Sequence, residues 1–582
     1  MATAKNDDGL LVAAIDLGTT FSGYAFSFRH DFNRDPMVIQ TNVWPGYGSN
    51  KTPTALLLKK NKEFDSFGHQ AEEKYCQLSE EDEHHGWYFF RRFKMRLHKE
   101  GLKKTTELKD EEGKSLPAVD VFKHVICFLK DHLLKEINNR CPNIEMLDIS
   151  WVITVPAIWN DAAKQFMRLA ANKAGIKSEK LTLALEPEAA SIYCKLIPVQ
   201  RMTNTSGKDI LACFQAGYKY LIADLGGGTA DMTVHQVMSD FNLQEIHKPS
   251  GGDWGGLQVD DEFLIFLDNL FGPKVMEEFR GEFKADFLDL TRDFEAKKKK
   301  LGESNSGRVV LRIPVPLTQL LKDKRKLSLV EAIAKSNYKD IKVKGDRIML
   351  QEEIVEEFFK NILKNIVDYI VRILQDPKCS DIKMILMVGG FSESPLVRKT
   401  IRAKFEKNMR VIVPQDAGMS VLKGAVLFGH APNVVAERIC KRTYGIDMHY
   451  DFIEGKHSKA KKVEIDGIEL CKDIFEKFVT VGDSIRLGET KSHDFYNTFE
   501  SSDRKKKIEK VRVYTSLEKM PQYVTDKTCN EIGTIELKPP AEGWPDTVEG
   551  RIEMQFGGTE FKVRVIDEVT KKEFASSFDF LG

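Results

Sequence analysis

Carboxylates, glycines and threonines recur in one arrangement at two places in this chain. In the first, the apolar run Leu11-Val12-Ala13-Ala14-Ile15 ends on Asp16, and Leu17-Gly18-Thr19-Thr20 leads to a second β-patterned run from Tyr24 to Phe28. In the second, Leu221-Ile222-Ala223 ends on Asp224, Gly226-Gly227-Gly228-Thr229 follows, and Asp231, Met232 and Val234 open the return. Each predicts a strand, a tight polar tip and a returning strand. Glycines at such a tip let backbone N–H groups approach phosphate oxygens. Carboxylates beside them suit Mg²⁺, a hard cation that keeps most of its waters. A single such hairpin is an ordinary Gly-rich turn. Two of them, about 200 residues apart, predict a duplicated domain whose halves face each other across a cleft with one nucleotide phosphate chain between them.

The elements around the tips must hold them in place. Apolar residues recur at helical spacing from Asp120 to Asn138, and Trp151 to Val155 reads as a buried strand. Asn160 or Asp161 caps a helix that stops at Gly175, and the strand from Leu181 to Leu185 delivers Glu186-Pro187-Glu188 into another helix. Strand and helix alternate, which predicts an α/β domain. The charged segment from Ser79 to Lys104 reads as helix-like, and its dense aromatics, Trp87 to Phe93, as packing. Gly251 to Gly256 reads as a flexible loop ahead of a helix from Asp260 to Leu270. A wide apolar stripe marks a core helix from Gln351 to Gln375. It leads to a strand from Met384 to Val388, a sharp turn at Gly389-Gly390, and a helix capped by Ser394 with Pro395 in its first turn. After Pro432 the pattern changes to alternating apolar and polar runs separated by turn clusters, an antiparallel β region.

At 582 residues the chain is long enough for two or more domains. Its formal net charge is zero, so nothing steers it toward nucleic acid or an anionic membrane. The run Lys297 to Lys300 reads as a solvated helical face. Nine cysteines are scattered without a C-x-x-C pair, which predicts a reduced, intracellular protein without a structural zinc site. Residues 1–8 are polar and expected to fray. The start lacks a signal-peptide plan and no apolar run is long enough to span a bilayer, so cytoplasm or nucleus is the expected location without membrane insertion.

Five segments in order, Asp16–Thr20, Val152–Ala157, Leu185–Ser191, Ile222–Asp231, and Val388–Pro395 with Pro414–Gly429, resemble the 70-kDa heat-shock protein family. That family lies within the superfamily of actin and the sugar kinases, and the sequence looks most like its divergent 12A/12B-like branch. The resemblance implies an α/β fold: a duplicated actin-like (ribonuclease H-like) ATPase domain over 9–432, a linker over 433–442, and an antiparallel β-sandwich-like, substrate-binding-like domain over 443–582. It also implies ATP or ADP with Mg²⁺. By position, Gly18, Thr19 and Thr20 hold the outer phosphates from one side, and Gly226, Gly227, Gly228 and Thr229 from the other. Asp16, Asp224 and Asp231 position Mg²⁺ through its waters. Glu186 helps to order the attacking water, and Asp224 accepts its proton. Lys94 is the closest fit to a lysine that reaches the γ-phosphate, with Arg92 a rival. Glu295, Lys298 and Lys299 match a helix lying against ribose and adenine, while Gly389 and Gly390 let the backbone approach the adenosine.

Departures from the family pattern are equally specific. Lys299 stands where an arginine usually stacks on adenine, and Phe391-Ser392-Glu393 replaces a Ser-Thr-Arg phrase. The acidic-apolar linker has no clear counterpart between Ala431 and Thr443, and neither a helical lid nor an acidic tail follows the β-patterned runs. No G-x-x-x-x-G-K-[ST] sequence occurs, so a Walker-type site is excluded. The implied function is slow Mg-dependent ATP hydrolysis coupled to the binding of client proteins or peptides through 443–582. Its alternatives are a nucleotide-gated adaptor with negligible turnover and a small-molecule kinase.

Overall fold

The computed structural model describes residues 9–98, 101–197, 214–303, 307–338, 340–465, 467–499, 501–569, 571, 573–575 and 580–581. The segment 1–8, expected to fray, lies outside them. Two sheets carry the two hairpins, and they repeat one plan. Leu11–Leu17 pairs antiparallel with Phe21–Phe28 and parallel with Ile149–Val155, which pairs parallel with Leu181–Leu185. In the second sheet, Lys219–Leu225 pairs antiparallel with Ala230–Val237 and parallel with Met384–Val388, which pairs parallel with Arg410–Ile412. Both hairpin strands are buried almost throughout, as strands covered on both faces must be.

Helices Glu186–Leu196 and Ser420–His430 fill the space between the sheets. Their small residues share one core with Val12, Val152, Ile222 and Leu386. Gly424 permits the closest approach, since a Cβ there would lie 1.7 Å from the carbonyl oxygen of Ala189. Glu186-Pro187-Glu188 is thereby held at the start of a helix wedged between the two halves. The long helices Ala118–Arg140 and Glu352–Leu374 cover the outer faces, each burying its apolar stripe in the core of its own half.

Several local expectations change. Ser79 to Lys104 is not one helix. His69–Glu80 ends the helix, and Tyr88–Arg91 forms a strand on Ala55–Leu58, with Gly86 at positive φ between them. Gly251 and Gly252 belong to the strand Leu243–Gly252 rather than to a loop. Gly251 opposes Asp231, where a Cβ would meet the Ala230 carbonyl oxygen at 1.9 Å. Asn160 does cap its helix, accepting from the Ala163 N–H, whereas the Ser394 side chain makes no capping bond.

Beyond the second half, a five-stranded and a four-stranded antiparallel sheet pack face to face around Ile446, Phe478, Val513, Ile552, Met554 and Val565. The stretch 433–442, read from the sequence as a linker, contains the strand Val435–Ile439. It extends the second α/β sheet by pairing parallel with Leu243–Gly252, and it is itself flanked by Ser484–Arg486.

Candidate functional site

The two hairpin tips meet. A Cβ added at Gly227 would lie 2.4 Å from Thr20 Oγ1, and one added at Gly228 would lie 2.7 Å from Thr19 Oγ1 and 2.3 Å from Met95 Sδ. Neither glycine has positive φ, so what these positions require is space. The tips border a cleft of about 460 Å³, with Gly18, Thr19 and Thr20 on one wall and Gly226, Gly227, Gly228 and Thr229 on the other. Asp16, Asp224, Lys94 and Glu186 line it too, and Glu295, Lys298, Lys299, Gly389 and Gly390 border the rest. Asp16 sits opposite Gly23 and Asp224 opposite Asp231 in their hairpins, so each carboxylate is the last residue but one of its buried strand, beside the tip.

Charge is dense at the phosphate end. Lys94 Nζ donates to Glu186 Oε1 at 2.8 Å and lies 5.4 Å above the Trp159 ring. Lys51 Nζ donates to Asp16 Oδ2 at 2.6 Å and to the Gly418 carbonyl at 2.9 Å, while the Thr154 hydroxyl donates to Asp16 Oδ1 at 2.8 Å. Burial pushes the Asp16 carboxyl up, but Lys51 and Lys94 outweigh it and leave the group below the usual carboxylate range. Asp224 behaves oppositely: burial, then the neighbouring charges of Glu186, Asp231 and Asp16, hold it well above that range. Burial pushes Glu186 up to about 7 against the pull of Lys94. Two lysines therefore face the four carboxylates Asp16, Glu186, Asp224 and Asp231, and after burial the excess negative charge is what raises Asp224 and Glu186 further.

Not every expected residue reaches the cleft. Asp231 lies behind its wall, 1% exposed, with Oδ1 accepting from the Ile158 N–H at 2.8 Å. Arg92 lines an adjoining cavity of about 360 Å³ and pairs with Asp260 and Asp261 at 3.4 and 3.7 Å. Lys298 borders the cleft, yet its ammonium is tied to Asp260 and to the Gly256 carbonyl. Lys299 pairs with Glu295 at 3.1 Å and sits 4.3 Å over the Phe21 ring. Gly389 takes φ 83°, and a Cβ there would strike Asp224 Oδ1 at 2.4 Å, so this glycine is required on both counts. After it, Phe391 turns into the core and Glu393 accepts from the Gly418 N–H at 2.8 Å.

Two residues at the site escaped the sequence reading. Thr154 carried a signal, a hydroxyl inside the otherwise apolar run from Trp151 to Val155. Lys51 carried none, being one lysine in a loop-rich stretch.

The donor set fits Mg²⁺: several carboxylate oxygens, an uncompensated negative charge, and glycine backbone where phosphate oxygens would approach. Comparison with known proteins agrees with this geometry. The family described as Hsp70 protein matches residues 111–466. Heat shock 70 kDa protein 12A of Mus musculus is 33% identical over 628 residues, covering 98% of this chain and 92% of that protein. The chain belongs to the Hsp70 family. Within it, Heat shock 70 kDa protein 12B of Homo sapiens is 34% identical over 633 residues, covering 98% of this chain and 91% of that protein. Chaperone protein DnaK of Mesomycoplasma hyopneumoniae (strain 7448) is 24% identical over 450 residues, covering 75% of this chain and 62% of that protein. The chain is thus an Hsp70-like protein of the ATP-binding kind and of the 12A/12B-like branch, with a duplicated actin-like α/β domain followed by a β-rich one. No helix among the described residues is long and apolar enough to cross a membrane.

Proposed function

We propose that this chain binds Mg-ATP between its two hairpin tips, hydrolyses it slowly, and couples the nucleotide state to the binding of extended protein segments by residues 443–582. The observation that carries the reading is the direct opposition of Thr19 and Thr20 to Gly227 and Gly228 over one cleft floored by acidic groups and Lys94. Backbone N–H groups and hydroxyls at the tips hold the outer phosphates, with Lys94 reaching the terminal one. Glu295 and Lys299 take the ribose and base side. Mg²⁺, when bound, would neutralise phosphate charge, and Asp16 and Asp224 would hold it through water, with Asp231 behind the wall adding only its charge. Glu186 orders the attacking water, and Asp224 in its ionised form accepts the proton. Hydrolysis here is a matter of positioning and charge stabilisation. A cytoplasmic or nuclear protein without nucleic-acid partners fits the neutral net charge.

A nucleotide-gated adaptor with negligible turnover is the second reading, favoured by one observation. Lys51 holds Asp16 in a buried ion pair, so a cation at Asp16 has a competitor built into the chain. Single-turnover hydrolysis of radiolabelled ATP separates the two readings. Asp224→Asn should keep nucleotide affinity and slow phosphate release at least about tenfold. Equal rates in the two proteins would remove the role of Asp224, and an undetectable wild-type rate would favour the adaptor.

A further inference from the structure

Away from the cleft, the turn that follows the helix His69–Glu80 gathers Asp82, His84 and His85. Asp82 takes a left-handed backbone, φ 56°, which folds the turn back on the helix end, and the N–H groups of Glu83 and His84 both reach the Leu78 carbonyl. One ligand atom from each of Asp82, His84 and His85 lies within 4.8 Å of the others. His85 Nε2 stands 3.2 Å from Asp82 Oδ1. Glu112, from the turn between Glu107–Lys109 and Ser115–Pro117, stands beside them. Its Oε1 is 3.9 Å from His84 Nε2, and its Oε2 is 3.9 Å from His85 Nδ1.

His84 is the independent observation. Its side chain is only 7% exposed, yet both ring nitrogens are buried without a hydrogen-bond partner. A buried polar group left this way is destabilising, and a bound ion would offset that. Its ring lies against that of His85, with centroids 4.1 Å apart. Two imidazoles and one carboxylate are the three protein ligands of an open zinc-type site, whose fourth position water would take. Bonds of about 2.0–2.1 Å place such donors about 3.3 Å apart. The Asp82–His85 pair is already at that spacing through His85 Nε2, whereas Glu112 faces the other ring nitrogen, Nδ1, and so stands beside the site rather than among its ligands. We propose that Asp82, His84 and His85 form a binding site for a divalent zinc-class metal ion.

Lys284 bears on the same carboxylate. It opens the helix Lys284–Lys298 of the second half and contacts Glu112 of the first. The Lys284 ammonium therefore sets a positive charge beside His84 and the site. No C-x-x-C pair announces the site.

The test is titration of the metal-free full chain with ZnCl₂ against a chromophoric chelator. The expected result is stoichiometric binding that His85→Ala weakens at least about tenfold. His85 is 65% exposed, so its loss leaves the fold intact, whereas His84→Ala serves as a second variant. Lys284→Ala should tighten binding by removing a positive charge beside His84. Co²⁺ in place of Zn²⁺ should give the intense visible absorption of a tetrahedral site. An absence of stoichiometric binding, or binding of the same strength in His85→Ala and wild type, would overturn the proposal.

Discussion

Replacing Gly227 by alanine asks whether the two tips act as one clamp. A Cβ at that position stands 2.4 Å from Thr20 Oγ1 and 2.8 Å from Thr20 Cγ2, on a residue of the opposite half. The Gly227 backbone is outside the left-handed region, so alanine is conformationally allowed there and the perturbation is steric. Overpacking of this kind costs about 1–3 kcal/mol. The strain falls on the contact between halves rather than inside either one, so it should appear as lost affinity for a nucleotide that needs both walls. At 1.4 kcal/mol per decade, the expected weakening is about 5- to 150-fold. Titration with a fluorescent ADP analogue in Mg²⁺ buffer reads it directly, with thermal denaturation run in parallel. Gly281→Ala is the control: it lies in the helix Pro273–Glu282 with no atom within 4 Å of the added Cβ. That variant should bind normally and gain roughly 0.5–1 kcal/mol of stability. Folded Gly227→Ala protein with wild-type affinity would refute the opposed-tip account.

Other consequences follow from the buried charges. Arg438, in the strand Val435–Ile439, grips Glu188 with two bonds of 2.7 and 2.8 Å, its side chain 9% exposed and that of Glu188 1%. Arg438→Met leaves the carboxylate buried and unpaired, so denaturant unfolding should show a loss of about 3–5 kcal/mol; less than about 1 kcal/mol would mean that the pair is not load-sharing. Burial, opposed by Glu188, holds the His235 imidazole down to about 4, so it stays neutral in the folded chain while the unfolded chain protonates near 6.5. Its contribution is fully present above about 6.5 and is lost as pH falls toward 4, at about 1.4 kcal/mol per pH unit. His235→Gln should flatten that acid branch in urea midpoints measured against pH, and parallel curves for the two proteins would contradict the assignment.

How much of this could be read from residues alone depended on how local each determinant was. Asp16–Thr20 and Asp224–Thr229 announce themselves because strand, carboxylate and glycines are contiguous, and the duplicated sheet order follows from two such units. The charged segment from Ser79 to Lys104 misled because its helical composition is overridden by pairing with Ala55–Leu58 and by the break at Gly86. Gly251 and Gly252 looked like a loop because glycine signals flexibility in sequence. Here it signals contact, with the Ala230 carbonyl where a side chain would be. Lys51 was illegible for a different reason. Its partners Asp16 and Gly418 are distant in sequence, and no spacing rule links them. Asp231, by contrast, was visible as a carboxylate but not as one turned behind the wall toward the Ile158 N–H.

Calorimetric titration of the full chain with Mg-ATP tests the central claim most directly. The account predicts saturable binding of one nucleotide per chain, weakened when Mg²⁺ is withheld and weakened again by Gly227→Ala. Absence of any heat at millimolar Mg-ATP, with the protein folded, would contradict it.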